Sequence, residues 1–255
     1  MEEIKILCCI FSWKGQYENA IKLQEQLSNI LTNVIVINSD DDNTKDGWID
    51  IGNECYFSDQ FKTALNLFDD TKYDALWHIQ ADASYDDWSS ILTSAIESFD
   101  IYNWGVFAPN VNDTYYISEK TDISTLSGNL KLVATPDNTC WIVHKDYINM
   151  MKDNLDLMDN NILGWGWDLL ICAFSHIDNR YVIRDYSFEI KHPTSTGYMK
   201  DQAEKEMQDM FHKCSTKLQE TIYKIKISPK DLCEYHNIQK VDAELIYNTA
   251  TGTYR

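Results

Sequence analysis

Three apolar runs of strand length, each stopping at a polar tip, constrain this chain more than any other feature. Residues 4–11 (IKILCCIF) end at Ser12-Trp13-Lys14-Gly15, residues 34–37 (VIVI) end at Asn38-Ser39-Asp40-Asp41-Asp42, and residues 75–79 (ALWHI) end at Gln80-Ala81-Asp82-Ala83-Ser84. Unbroken apolar runs suit strands covered on both faces, and such strands belong to sheets sandwiched between helices. Helical periodicity follows each tip and predicts helices over 17–31, over 58–68 with Ser58 as N-cap, and over 86–99. A strand–helix pattern repeated three times specifies an α/β domain with a Rossmann-like, mixed but mostly parallel central sheet flanked by helices. In open sheets of this kind ligands bind at the carboxyl ends of the strands, where these polar tips lie.

Further along, short strands are expected at 106–109, 115–118, 139–144, 181–185 and 188–190, and a helix at 168–177 is launched from the loop 160–167. Residues 1–198 read as one catalytic domain. Residues 199–255 read as a helical C-terminal extension, whose Met207, Met210, Phe211, Leu218 and Ile222 fall near one helical face, packed on the domain or at an oligomer contact. The 255 residues, 44% hydrophobic, suffice for one such domain and not for two full ones.

The seven cysteines are scattered with no C-x-x-C spacing, which fits reduced, buried thiols rather than a disulfide frame or zinc knuckle. No stretch approaches the ~18 to 20 apolar residues of a membrane span. Glu2 and Glu3 precede the first apolar run, unlike the basic start of a secretory signal, so the expected location is the cytoplasm, or the host cytoplasm for a viral protein. A formal charge of −18 repels polyphosphate backbones and disfavours nucleic acid as a partner. The same charge would oppose a nucleoside diphosphate unless a cation intervened.

Three constellations carry chemistry. The strand ending Gln80-Ala81-Asp82 delivers a carboxylate to its open end, where it serves either as a ligand for a hard divalent cation or as a turn former. In Gly164-Trp165-Gly166-Trp167-Asp168, two glycines let the backbone bend tightly, two indoles offer flat faces for a sugar ring, and Asp168 stands at a helix start. The alternative there makes Asp168 a helix cap and the tryptophans core residues. Lys191-His192-Pro193, with Gly197-Tyr198, places an imidazole at a strand end, either as a metal ligand or as a structural group.

Taken together and in this order, these motifs resemble the GT-A fold glycosyltransferases, particularly small inverting family-two-like and viral members. The resemblance covers residues 4–198. It implies that Asp82, the last residue of a D-x-D-like signature, binds a divalent metal, Mn²⁺ or Mg²⁺, with His192 as a second ligand. Asp168 would be the acceptor-side carboxylate, with Trp165, Gly166 and Trp167 around the sugar. Phe11, Ser12 and Trp13 would line the base pocket, one of Asp40, Asp41 and Asp42 would contact base or ribose, and Gln80 and Ala81 would adjoin the nucleotide. Trp13 could equally be a core residue, and residues 40–42 a solvated turn. Gln80 departs from the family signature: it replaces the first aspartate by an amide, a ribose partner but a poorer metal ligand.

The implied reaction is transfer of a sugar from a UDP- or GDP-linked donor to a hydroxyl of a glycan or protein acceptor, with inversion at the anomeric carbon. Rival readings are a sugar nucleotidyltransferase, a non-catalytic carbohydrate-binding protein, and a transferase acting on modified DNA bases. The first would need a glycine-rich, basic loop after the first strand, whereas Ser12-Trp13-Lys14-Gly15 has one glycine and one lysine. The charge ranks DNA below glycan or protein acceptors.

Overall fold

The computed structural model describes residues 4–193 and 199–238. Nine strands form one sheet: β1 (Ile6–Trp13), β2 (Val34–Ser39), β3 (Ile49–Asp50), β4 (Ala75–Gln80), β5 (Trp104–Val111), β6 (Asp122–Ser127), β7 (Leu130–Val133), β8 (Cys140–His144) and β9 (Tyr181–Ile190), in the order β3-β2-β1-β4-β8-β5-β9-β7-β6. The helices are α1 (Tyr17–Ser28), α2 (Phe57–Leu67), α3 (Trp88–Tyr102), α4 (Ser118–Thr121), α5 (Lys145–Asp153), α6 (Trp167–Ile177), α7 (Lys200–Lys213) and α8 (Thr216–Ile227), with 3₁₀ turns at Leu155–Met158 and Pro229–His236.

Side chains alternate across the pleat of β1 and so feed two cores. Leu7, Cys9 and Phe11 face α2, α5 and α6, while Ile6, Cys8 and Ile10 face α1 and α3. Burial on both faces is why the strand sequences read as unbroken apolar runs. The cysteines are all free, and all are buried except the half-buried Cys55. No helix among the described residues is long and apolar enough to cross a membrane.

The expectation of a mostly parallel sheet is corrected. The pairs β1–β2, β1–β4, β2–β3 and β5–β9 are parallel. The pairs β4–β8, β5–β8, β6–β7 and β7–β9 are antiparallel. The parallel rule rests on strand–helix–strand crossovers, and it lapses after β5. There β6 and β7 form a hairpin with only Gly128 and Asn129 between them, and β8 inserts between β4 and β5 against the direction of both. That hairpin was not anticipated. The segments expected at 181–185 and 188–190 are one strand, whose register against β5 slips between Pro109 and Asn110. The strand expected at 115–118 is instead a loop: Tyr115 is 75% exposed and Ser118 already opens α4.

Helix starts are decided by side-chain geometry. Asp87 caps α3 by accepting from the Ser90 amide, which fits its position before the apolar face of Trp88, Ile91 and Ala95. Ser58 does not cap α2, which begins one residue earlier, after Tyr56. Its hydroxyl is buried instead, donating to Asn161 Oδ1 (2.8 Å) and accepting from Trp167 Nε1 (2.9 Å). The periodic stretch after residue 199 is two helices rather than one. Met210, Leu218, Ile222 and Ile225 from this pair join the core around α6, with Leu232 and Cys233 behind them.

Candidate active site

The site forms where β1, β4, β5 and β9 end. Asp82 lies just past β4 and His192 just past β9, and an antiparallel bridge between Ser84 and Lys191 ties the two strand exits together (2.9 and 3.1 Å). As a result His192 Nε2 comes within 3.3 Å of Asp82 Oδ1. The two form an ion pair at the long end of hydrogen-bond distance, and Asp82 Oδ1 is buried with no partner beyond it. Burial opposes protonation of His192, but the Asp82 carboxylate and the charge of Asp137 outweigh it, and the imidazole pKa is raised.

The loop leaving β5 connects this pair to Asp168 through alternate residues. Asn112 Oδ1 accepts from the His192 amide (2.8 Å), Thr114 Oγ1 donates to Asp137 Oδ2 (2.6 Å), and the Tyr116 hydroxyl donates to Asp168 Oδ2 (2.6 Å). The four residue steps from Asn112 to Tyr116 can span at most about 14 Å, which bounds the separation of the two attachment points on this loop. Asp137 lies between them. Its charge raises the pKa of both His192 and Asp168, and its oxygens are engaged by the Thr139 amide, the Thr139 hydroxyl and Thr114.

Asp168 is the second residue of α6 and is buried. Burial is the largest influence on its carboxyl and raises its pKa, against hydrogen bonds from Tyr116 and the Leu169 amide; Asp137 adds to the rise. Tyr116 is itself raised well above the usual phenol range, by burial first and then by Asp168 and Asp137, so it stays a donor. Arg184, buried on β9, holds this corner by donating to the Tyr116 carbonyl (2.7 Å), the Tyr186 hydroxyl (3.0 Å) and the Thr135 carbonyl (3.1 Å).

The loop that launches α6 is held by Asn161 within it and by Glu206 from α7. Asn161 Oδ1 accepts from the Gly164 amide and its Nδ2 donates to the Trp165 carbonyl. Glu206 of α7 accepts from the amides of Ile162 and Leu163, both at 2.9 Å. The two glycines answer to packing: a Cβ at Gly164 would stand 2.4 Å from Phe57 Cδ1, and one at Gly166 would stand 2.5 Å from Met210 Cε. Both also have φ in the left-handed region, +90° and +109°. Gly166→Ala should therefore lower stability by about 1–2 kcal/mol from backbone strain, with Met210 swinging aside; a thermal melt unchanged from wild type would contradict this.

Several expected contacts are corrected. Phe11 and Ser12 are fully buried, Phe11 against the His78 ring at 4.1 Å and against Phe57 and Phe61, because β1 runs through the centre of the sheet. Asp40 is buried as well, its oxygens accepting from the Asp42 amide and the Asn43 side chain, so it organises its own loop. Trp167 is a core residue packed on Phe61 at 4.7 Å and offers no ring face to a sugar. Gly166 meets α7 rather than a ligand. Trp13, Gln80 and Trp165 are half-buried, and Ala81 is buried under the Gln80 to Asp82 turn. Asp86 and Asp87 lie beyond this turn, with Asp87 occupied as a cap. Gly197 and Tyr198 fall outside the described residues.

Asn112, Thr114, Tyr116, Asp137 and Glu206 were not anticipated. The alternation Asn112-x-Thr114-x-Tyr116 immediately after a strand was the one legible sign of the first three; Asp137 and Glu206 carried none.

No protein-family model matches the sequence, and no curated protein matches it. Solved structures do match. A protein named A197 from STIV is 13% identical, aligned over 75% of this chain and 87% of its own, with a TM-score of 0.45. GalNAc-T7, solved with UDP, GalNAc and Mn²⁺, is 9% identical with a TM-score of 0.56. The alignment covers 100% of this chain, which spans 59% of that protein. At this identity the likeness is one of architecture: the chain has the fold of the GT-A glycosyltransferases.

Proposed function

We propose that the chain is a glycosyltransferase that moves a sugar from a nucleoside-diphosphate sugar, UDP- or GDP-linked, to a hydroxyl of a glycan or protein acceptor. The observation that carries this reading is one loop, residues 112–116, gripping both the Asp82–His192 pair and Asp168, on a GT-A sheet. GalNAc-T7, which shares that sheet, was solved with UDP and Mn²⁺, which supports a diphosphate donor and a divalent cation here.

The residues present suit such a cation. Asp82 Oδ1 is a buried carboxylate oxygen with no hydrogen-bond partner, and His192 Nε2 stands beside it. Among the described residues no cluster of three or more His, Cys, Asp or Glu side chains is placed to hold a metal. Two protein ligands match the manner in which Mg²⁺-type ions bind with substrate phosphates completing the shell. Bound there, the ion would act as a Lewis acid toward the departing diphosphate. It would also answer the charge problem, since Asp82, Asp137 and Asp168 otherwise repel a diphosphate.

Asp168 would accept the proton of the acceptor hydroxyl. A carboxyl whose pKa is raised by burial is, once ionised, a stronger base than a free aspartate. With Asp168 as the one carboxylate assigned to the acceptor side, the reading is direct displacement with inversion. Trp165, on the approach to α6, is the remaining indole that can face a sugar, and Trp13 and Gln80 border the donor side.

The test is a thermal-shift and turnover screen of nucleoside-diphosphate sugars with and without Mn²⁺. A donor at 100 times its Kd adds about 2.7 kcal/mol of stability, and slow hydrolysis or transfer should release free nucleoside diphosphate. Binding without release under any acceptor would favour the carbohydrate-binding reading, and no stabilisation by any donor would remove the transferase reading.

A further inference from the structure

We propose that Tyr116 is the positioning residue for Asp168: its hydroxyl, donating to Oδ2 at 2.6 Å, fixes the plane of the carboxylate that receives the acceptor's proton. The inference rests on the reading of Asp168 as the base. The hydroxyl is itself held. Arg184 donates to the Tyr116 carbonyl and is anchored to the Thr135 carbonyl and to Tyr186, whose own hydroxyl donates to Asp122 (2.6 Å). Tyr116 therefore enters from a loop whose backbone is pinned to β9, while Asp168 is pinned to α6, and the one hydrogen bond joins the two.

Its electrostatic effect has a definite sign. A hydrogen bond donated to a carboxylate favours the ionised form, opposing the burial that favours the protonated one. The other groups facing Asp168 do not replace it. Asp137 acts in the opposite sense, Cys172 one turn along α6 has its thiol pushed up by burial and stays neutral, and Arg184 directs its donors at carbonyls and Tyr186 rather than at Asp168. Without the phenol, Asp168 would be freer to rotate and would ionise only at higher pH.

The experiment compares wild type, Tyr116→Phe and Asp168→Asn by transfer rate across pH, by donor affinity in Mn²⁺, and by ¹³C NMR titration of the Asp168 carboxyl. Tyr116→Phe keeps the ring that fills the loop. Its expected signature is unchanged donor affinity, an Asp168 titration moved to higher pH, and a rate loss that is largest, about tenfold, on the acid limb and smaller at higher pH, where only the freed rotation of the carboxylate remains. A purely structural role would instead lower the rate equally at every pH. That outcome, or an Asp168 titration identical to wild type while Asp168→Asn is inactive, overturns the role of Tyr116 alone. Full transfer by Asp168→Asn overturns the base assignment and the proposal with it, whatever the titration shows.

Discussion

Asp168→Asn is expected to lower transfer by ~10² to 10⁴, the usual worth of a positioned general base, while leaving affinity for a nucleoside-diphosphate sugar unchanged. Asparagine keeps the size of the side chain and an oxygen that can accept from the Tyr116 hydroxyl, so what is lost is basicity. The wild-type rate should rise with pH along a limb set by Asp168. Because burial raises that carboxyl, the limb lies above the ordinary carboxylate range. The variant should lack the limb altogether.

Stability should move the other way. A group whose pKa is raised in the folded state supports folding below its unfolded pKa and ceases to do so as pH rises through the folded value. At pH above its raised pKa the ionised, buried Asp168 therefore weakens the fold, and there Asp168→Asn should melt at a higher temperature than wild type. This difference should shrink in acid, where wild type is protonated. Transfer by Asp168→Asn at wild-type rates across the pH range would show that another group takes the proton.

The sequence made much of this legible, and particular residues show why it stopped where it did. The runs that became β1, β2 and β4 could be read because strands buried on both faces need apolar residues at every position, and the tip of β4 lies at the sheet end where Asp82 and His192 meet. Asp82, Asp168 and His192 stood out because each sits at the end of an apolar run or beside unusual glycine spacing. What the sequence did not disclose was direction and depth. Phe11 and Trp167 look like ligand-facing aromatics because both adjoin polar tips, but strand alternation and the first turn of α6 turn them into one core, where Phe61 meets both. Gly164 and Gly166 read as room for a ligand, whereas they give room to Phe57 and Met210. Asp137 and Glu206 were illegible for a different reason: an acid in a turn or on a helix face carries no mark of the distant amide or hydroxyl it will meet.

The role of Asp82 separates function from folding most sharply. A buried carboxylate oxygen without a hydrogen-bond partner costs the folded state something. Asp82→Ala should change the melting temperature little when both are free of metal and donor, loss of the His192 contact offsetting relief of the poorly partnered carboxylate oxygen. In Mn²⁺, by contrast, the variant should bind a nucleoside-diphosphate sugar more weakly by about 2–5 kcal/mol, the cost of truncating one member of a buried charged contact. That is roughly 30-fold to a few thousand-fold in Kd. Without added metal the two proteins should bind the donor equally poorly, since the advantage of the carboxylate is exercised through the cation. His192→Ala should show the same pattern in lesser degree, a neutral ligand being lost rather than an anionic one. Equal donor affinity of Asp82→Ala and wild type at saturating Mn²⁺ would remove Asp82 from the donor site. A large fall in the melting temperature of the metal-free variant would show instead that the ion pair with His192 serves the fold.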